Sequence, residues 1–269
     1  MVASPLTAGS GVVVTGAARG IGKGLAAKLT AEGCRVVVAD VDADELQRTA
    51  AELGAHPVTS DLSTQAGVAA LVQAAEDHLG AIDAWYANAG IDRGRGLDAS
   101  EDDWAASYDV NVLAHVRTAR LLVPRWLARA EQEGHGGRFV VTASAAGLLT
   151  MVGAPAYSVT KHAAVAFAEW LSVTYRHRGV VVQAICPQGV RTSMLERSQG
   201  LQDLLSHDEA LTPAQVADVV WEAAQDDRFL ILPHPQVADY YAGRAADPDR
   251  WLAGMNRIQR RLEEQGVLS

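Results

Sequence analysis

Tyr157 and Lys161 stand four positions apart in "APAYSVTKHAAVAF", residues 154–167, a stretch that otherwise reads as a plain apolar helix. A free tyrosine ionises near pH ~10, so its use as a base near neutrality requires lowering that value by roughly two or three units, worth about 3–4 kcal/mol. One cation can supply this. A lysine at i+4 shares the helix face, and a unit charge at about 4 Å contributes ~4 kcal/mol at an effective dielectric near ~20. The same spacing also arises on an amphipathic surface helix whose tyrosine merely snorkels. Two further residues favour the chemical reading. Ser144 lies just past an apolar run, 13 residues before Tyr157, where its hydroxyl can reach the same substrate oxygen. Asn111 falls in "SYDVNVLAHVRTARLLV", where an amide among apolar neighbours must hydrogen-bond something, whether a partner element or its own helix.

A second set of residues has the spacing of a nucleotide site. "VVVTGAARGIGKGLAAKL" runs a strand into a turn and then a helix, with Gly16, Gly20 and Gly22 spaced G-x3-G-x-G around Arg19 and Ile21. Glycines there let backbone N–H groups and a helix N-terminus approach a pyrophosphate. Asp40 ends the second strand, 20 residues beyond Gly20, where a carboxylate accepts from both adenosine ribose hydroxyls and repels a 2′-phosphate. Arg19 pulls the other way, since it can pair with that phosphate. No second base follows Asp40, the next residues being Val41 and Asp42, so NAD is expected over NADP. Asp40 could instead cap the next helix, a role equally open to Asp42. Asp61 and Leu62 follow the third strand, and Asn88, Ala89 and Gly90 the fourth. Each is an ordinary turn alone; together they trace one crevice at the carboxyl ends of parallel strands.

The elements that must position these groups follow from the pattern of the chain. Seven short apolar runs, from "GVVVTG" to "FLILP", alternate with Ala/Leu-rich segments of helical period at about 20–32, 43–53, 64–79, 101–131, 155–178 and 213–226. Strands apolar on both faces and separated by helices predict an α/β fold: a doubly wound parallel sheet covered on two sides, in a single domain over 1–269. Residues 191–211 make a connection longer than the ~2–6 residues usual there, which suggests a cover over a site. The tail, 236–269, reads as two amphipathic helices, with Asp247-Pro248 starting the second. It could be solvated or face a partner subunit.

Composition narrows the function classes. A formal net charge of −9 without a basic run argues against nucleic acid. Cys34 and Cys186 lie far apart in apolar surroundings, as buried thiols of a reducing compartment would. The eight histidines are scattered without H-E-x-x-H or a Cys/His cluster, so no metal site is expected. No segment approaches the ~20 apolar residues of a membrane span, and a cytoplasmic protein without a membrane partner is expected.

Taken in order, "TGAARGIG", Asp40, "DL" at 61–62, "NAG" at 88–90, Asn111, Ser144, "YSVTK" and "PQGVRT" resemble the short-chain dehydrogenase/reductase family in its roughly 250-residue subgroup. The resemblance implies a Rossmann-type sheet of order 3-2-1-4-5-6-7 with a C-terminal helical extension. It also implies a catalytic set in which Tyr157 is general acid/base, Ser144 holds the substrate oxygen, Lys161 lowers the tyrosine pKa and binds ribose, and Asn111 anchors a proton-relaying water. Pro187 would belong to the cofactor site, and Val190 and Thr192 would bind the nicotinamide carboxamide. Helices carrying Asn111 and Tyr157 would join a homotetramer or homodimer. Two departures are present: Ala87 replaces the first residue of the usual asparagine pair, and Gln188 stands where the family has glycine. By the same resemblance the pocket wall takes in Leu148, Leu149, Met151, Val152, Gln188 and Met194, with Arg93 nearby. Its mostly apolar character implies a hydrophobic secondary alcohol or ketone such as a steroid, terpene or aryl alcohol. Leu148 to Val152 could instead pack beneath the catalytic helix. The competing expectations are an NADP-dependent ketone reductase and a catalytically silent NAD-sensing protein, which should survive the loss of Tyr157.

Overall fold

The computed structural model describes residues 6–197 and 210–268. Its strands are β1 Gly11–Thr15, β2 Arg35–Asp40, β3 His56–Thr59, β4 Ala84–Ala87, β5 Arg138–Thr142, β6 Val181–Ile185 and β7 Leu230–Ile231. All pair in parallel in the order β3-β2-β1-β4-β5-β6-β7. The helices are α1 Gly20–Ala31, α2 Ala43–Leu53, α3 Gln65–Leu79, α4 Glu101–Tyr108, α5 Ala114–Glu133, α6 Pro155–Tyr175, α7 Ser193–Arg197, α8 Pro213–Asp226, α9 Gln236–Ala246 and α10 Pro248–Glu264.

Alternation along the strands explains the layers. Val12, Val14 and Val38 pack with Leu25 of α1, Leu46 of α2 and Val220 of α8. Val13, Val37 and Trp85 face the other way, onto Leu71 of α3, Leu122 of α5 and Leu171 of α6. With both faces buried, β-branched residues suit the pleated surface at every position, which is why these runs do not alternate with polar ones. β1 is flanked by β2 and β4, so the chain leaves the sheet in opposite directions at this point and opens a crevice at the carboxyl ends.

The helix expected over 101–131 is two helices joined by a π-helical turn, Asp109–Leu113, with Asn111 at its centre. Helical period alone does not reveal the extra residue of a π turn, and such turns often mark functional sites. The helix expected to 178 ends at Tyr175, followed by a tight turn into left-handed Gly179.

Val190 bridges to Leu211 at the base of the expected 191–211 cover. α7 belongs to that segment, and 198–209 lie outside the described residues. In the tail, Asp247 caps α10 by accepting from the Arg250 N–H at 3.0 Å, and Pro248 opens the helix. Both cysteines are buried and free. Among the described residues no helix is long and apolar enough to cross a membrane.

Candidate active site

The turn after β1 is shaped by close approach of backbone. A Cβ on Gly22 would lie 2.1 Å from the Gly16 carbonyl oxygen, so the first turn of α1 can fold back over the loop only with glycine there. Asn88, after β4, donates its side-chain amide to the carbonyls of Thr15 and Gly16 at 3.0 and 3.2 Å. Thr15 completes the brace: its hydroxyl accepts from the N–H groups of Asn88 and Ala89 and donates to Tyr86 O. Thr15 opens the "TGAARGIG" stretch, but nothing in the sequence assigned it this bracing role.

Asp40 accepts from Ala18 N–H and Asp42 N–H, both at 3.1 Å. The cap of α2 belongs to Asp42, which accepts from Glu45 N–H, leaving Asp40 turned to the crevice. Arg19 is paired with Asp42, so its charge is answered from within the chain. This guanidinium holds the Asp42 carboxyl below its ordinary range. Asp61 is exposed and folds its own turn by accepting from Ser63 N–H.

At the other end of the crevice, Lys161 is buried and donates to Thr142 O at 2.8 Å, with its ammonium 5.6 Å from the centre of the Tyr157 ring. A Cβ on Gly90 would meet Lys161 Nζ at 3.2 Å and Asn111 Oδ1 at 3.3 Å, so glycine makes room for both. Burial pushes Tyr157 up to about 12, against a hydrogen bond with Ser144 that lowers it. Burial also brings Lys161 down to about 8. In the chain by itself, burial is the largest cause of both shifts.

Of the expected site residues, all but three line one cavity of about 1280 Å³. Gly16, Arg19, Gly20, Ile21 and Asp40 form one end, continued by Asp61, Leu62, Asn88, Ala89 and Gly90. Ser144, Tyr157 and Lys161 lie with Pro187, Val190 and Thr192 further along, beside Gln188 and Met194. Gly22 is the first exception, a packing residue beneath the turn. Asn111 is the second: it is fully buried, its Oδ1 accepting from Ile91 N–H at 2.8 Å and its amide donating to Ile91 O and Thr160 Oγ1. Its side chain therefore ties neighbouring elements together and does not reach the cavity; nothing in the sequence marked Thr160 as its partner.

Leu148 is the third exception and also a correction. It is 2 % exposed within the core beneath α6, because the short turn after Ser144 points it inward and gives the wall to Leu149. Arg93 lines a smaller adjoining hollow with Arg95 and Met194. Gln188 lines the cavity, while its Oε1 is buried and has no hydrogen-bond partner among the described residues.

Sequence reasoning missed the far wall. It comes from the chain's own tail, through Tyr240 of α9 and Trp251, Met255 and Ile258 of α10. Arg244 ties it down: its guanidinium donates to the carbonyls of Leu148 and Leu149, meets His162 Nε2 at 3.2 Å, and lies 5.2 Å from the Trp251 ring centre. Amphipathicity showed that these helices needed a partner, not which surface would serve.

A sheet that changes winding direction at β1, a glycine turn with an acid at the end of β2, and a serine, tyrosine and lysine beyond β5 define a nucleotide-dependent redox architecture. The family model described as short chain dehydrogenase matches residues 10–202, and the chain belongs to the short-chain dehydrogenase/reductase family of oxidoreductases. It is 38% identical over 228 residues to 1-deoxy-11-beta-hydroxypentalenate dehydrogenase of Streptomyces exfoliatus, covering 82% of this chain and 81% of that one. Against oxidoreductase UcpA of Escherichia coli it is 31% identical over 258 residues, covering 93% and 92%. A short chain dehydrogenase/reductase from Burkholderia phymatum, solved in complex with NAD, superposes with a TM-score of 0.82 at 30% identity, covering 90% of this chain and 95% of that chain.

Proposed function

We propose that this protein is an NAD-dependent alcohol dehydrogenase/ketone reductase acting on a hydrophobic secondary alcohol of terpenoid size. The observation that carries this reading is the shared cavity, which has the Asp40 crevice at one end and Ser144, Tyr157 and Lys161 beyond it. Its volume exceeds the ~300–1,000 Å³ typical of a single small-ligand site, leaving room for a dinucleotide and a substrate together.

In the oxidation direction, Ser144 holds the alcohol oxygen while the Tyr157 phenolate takes its proton; in reduction, the phenol returns that proton to the ketone oxygen. The nicotinamide, when bound, accepts or supplies the hydride, and its positive oxidised ring favours the phenolate. Lys161, anchored to Thr142 O, keeps a cation behind the phenol, and Asn111 holds the turn that seats Gly90 against it. The cofactor preference rests on Asp40 meeting the ribose hydroxyls and on Asp42 occupying Arg19. Val190 and Thr192 are suited to the carboxamide, with Pro187 beside them in the cofactor end of the cavity. The apolar wall of Leu149, Met151, Trp251 and Met255 supports the substrate class, as does the name of the Streptomyces relative, an alcohol dehydrogenase of a terpenoid acid.

A cytoplasmic location fits two free thiols, and a homodimer or homotetramer fits the exposed apolar face of α6 at Val159, Trp170 and Val173. The test follows the reduced-nicotinamide absorbance with secondary alcohols and with NAD or NADP. Turnover with NAD in the native chain and at least a ~100-fold loss in Tyr157→Phe, with NAD binding retained, is the expected result. Binding of NAD without turnover of any alcohol, unaffected by Tyr157→Phe, would instead identify a nucleotide sensor.

A further inference from the structure

Resting on that reading, we infer that the substrate carries an anionic group, a carboxylate or its equivalent, remote from its hydroxyl, and that the arginine face of α10 recognises it. Arg250, Gly254, Arg257 and Arg261 recur at i, i+4, i+7 and i+11, which places them on one face of the helix, and all four line the cavity. All three arginines are exposed, and none forms an ion pair among the described residues. Their neighbour Arg260, on another face, pairs with Glu264 at 3.8 Å and is absent from the cavity wall.

A chain of net charge −9 repels anions overall, so a face with three unanswered guanidinium groups runs against its composition. Two carboxylates share the tail's part of the wall. Asp247 is engaged in capping α10, and Asp239 lies on α9. Neither is in an ion pair with the arginine face.

The tail is anchored beside the loop after Ser144 and beside α6. The tail meets the body through Arg244 at Leu148, Leu149 and His162, and through Leu268 against Gly153. These contacts lie on the side of Ser144 and Tyr157, away from the glycine turn and Asp40. Trp251, Met255 and Ile258, beside the arginines on α10, line the same cavity together with Leu149 and Met151, an apolar surface for the body of the molecule. Guanidinium forks match a planar carboxylate with two parallel hydrogen bonds, so they specify that group over a neutral oxygen.

The probe is a matched pair, a steroid hydroxy acid such as lithocholate and its uncharged methyl ester, titrated calorimetrically into the full chain with NADH present; turnover of each with NAD is measured in parallel. The acid should bind at least ~10-fold tighter than the ester. That ratio should fall to within about twofold of unity in Arg257→Gln/Arg261→Gln, recover only in part in Arg257→Lys/Arg261→Lys, which keeps the charge without the fork, and persist in Arg260→Gln. Equal affinities in the native chain, absence of binding by both, or a preference that survives Arg257→Gln/Arg261→Gln would overturn the inference. A charge-dependent preference without turnover would leave it standing and count against the dehydrogenase reading instead.

Discussion

Asp40 and Arg19 show how one ion pair bears on the proposed choice between two cofactors. Read singly, the acid favours NAD and the base NADP; with Arg19 committed to Asp42, the crevice presents a carboxylate. Replacing Asp40 with Asn removes a charge-assisted hydrogen bond worth about 1.5–3 kcal/mol, so the NAD KM should rise ~10–100-fold while NADP becomes usable. Parallel steady-state kinetics with the two cofactors measure this, and an unchanged preference would shift the assignment away from Asp40. At the other end, Tyr157 stays protonated through neutrality in the chain by itself, at about 12, so the phenol stands ready as an acid for ketone reduction. Its service as a base depends on cations brought close to it. The pairing of the two groups was legible from Y-x-x-x-K; the direction in which burial moves them was not, because desolvation depends on neighbours remote in sequence.

Two elements carry features that periodicity does not display. The π turn at 109–113 directs Asn111 inward, and the next residue but three, His115 on α5, is buried as the neutral imidazole, brought down to about 3 by loss of solvation, with Lys161 acting in the same sense. The unfolded chain binds this proton near its ordinary value, ~6.5, and the folded one does not. Stability is therefore present above pH ~6.5 and falls as pH drops towards 3, by up to ~1.4 kcal/mol per pH unit. His115→Leu should flatten this slope, making the native protein's excess loss about 2 kcal/mol at pH 5, as urea unfolding at pH 7 and pH 5 would reveal. In the tail, Arg244 is the clamp of α9 to the loop after Ser144. Arg244→Ala should raise the alcohol KM by ~5–10-fold and leave the NAD dissociation constant within about twofold, since only the far wall loosens.

For the whole molecule, the sheet leaves α6 with one face on the core and another exposed. Val159, Trp170 and Val173 lie together on that exposed face, with Val173 at 77% and Trp170 at 53% exposure. Patches of this kind belong in subunit contacts. Sedimentation should find a dimer or tetramer for the native chain and a smaller species for Trp170→Glu/Val173→Glu; a native monomer would remove the assembly from the proposal. Because the tail is occupied with its own chain's cavity, assembly through α6 and closure of the pocket do not compete for one surface.

The order of strands and helices was legible because the central strands β1, β4, β5 and β6 are buried on both faces, so local hydrophobic pattern and global layer agree. The glycine turn, Asp40 and the Tyr157–Lys161 pair were legible for a related reason: their chemistry depends on short spacings along the chain. What the tertiary structure decided depends on contacts between distant segments. It sent Leu148 inward and Leu149 to the wall, gave Asn111 to Ile91 and Thr160, and tied Arg19 to Asp42. It also laid α9 and α10 across the cavity, where an amphipathic face that could have met solvent or a partner became the wall opposite Tyr157. Amphipathicity states that a face must be covered; only the packed chain states by what.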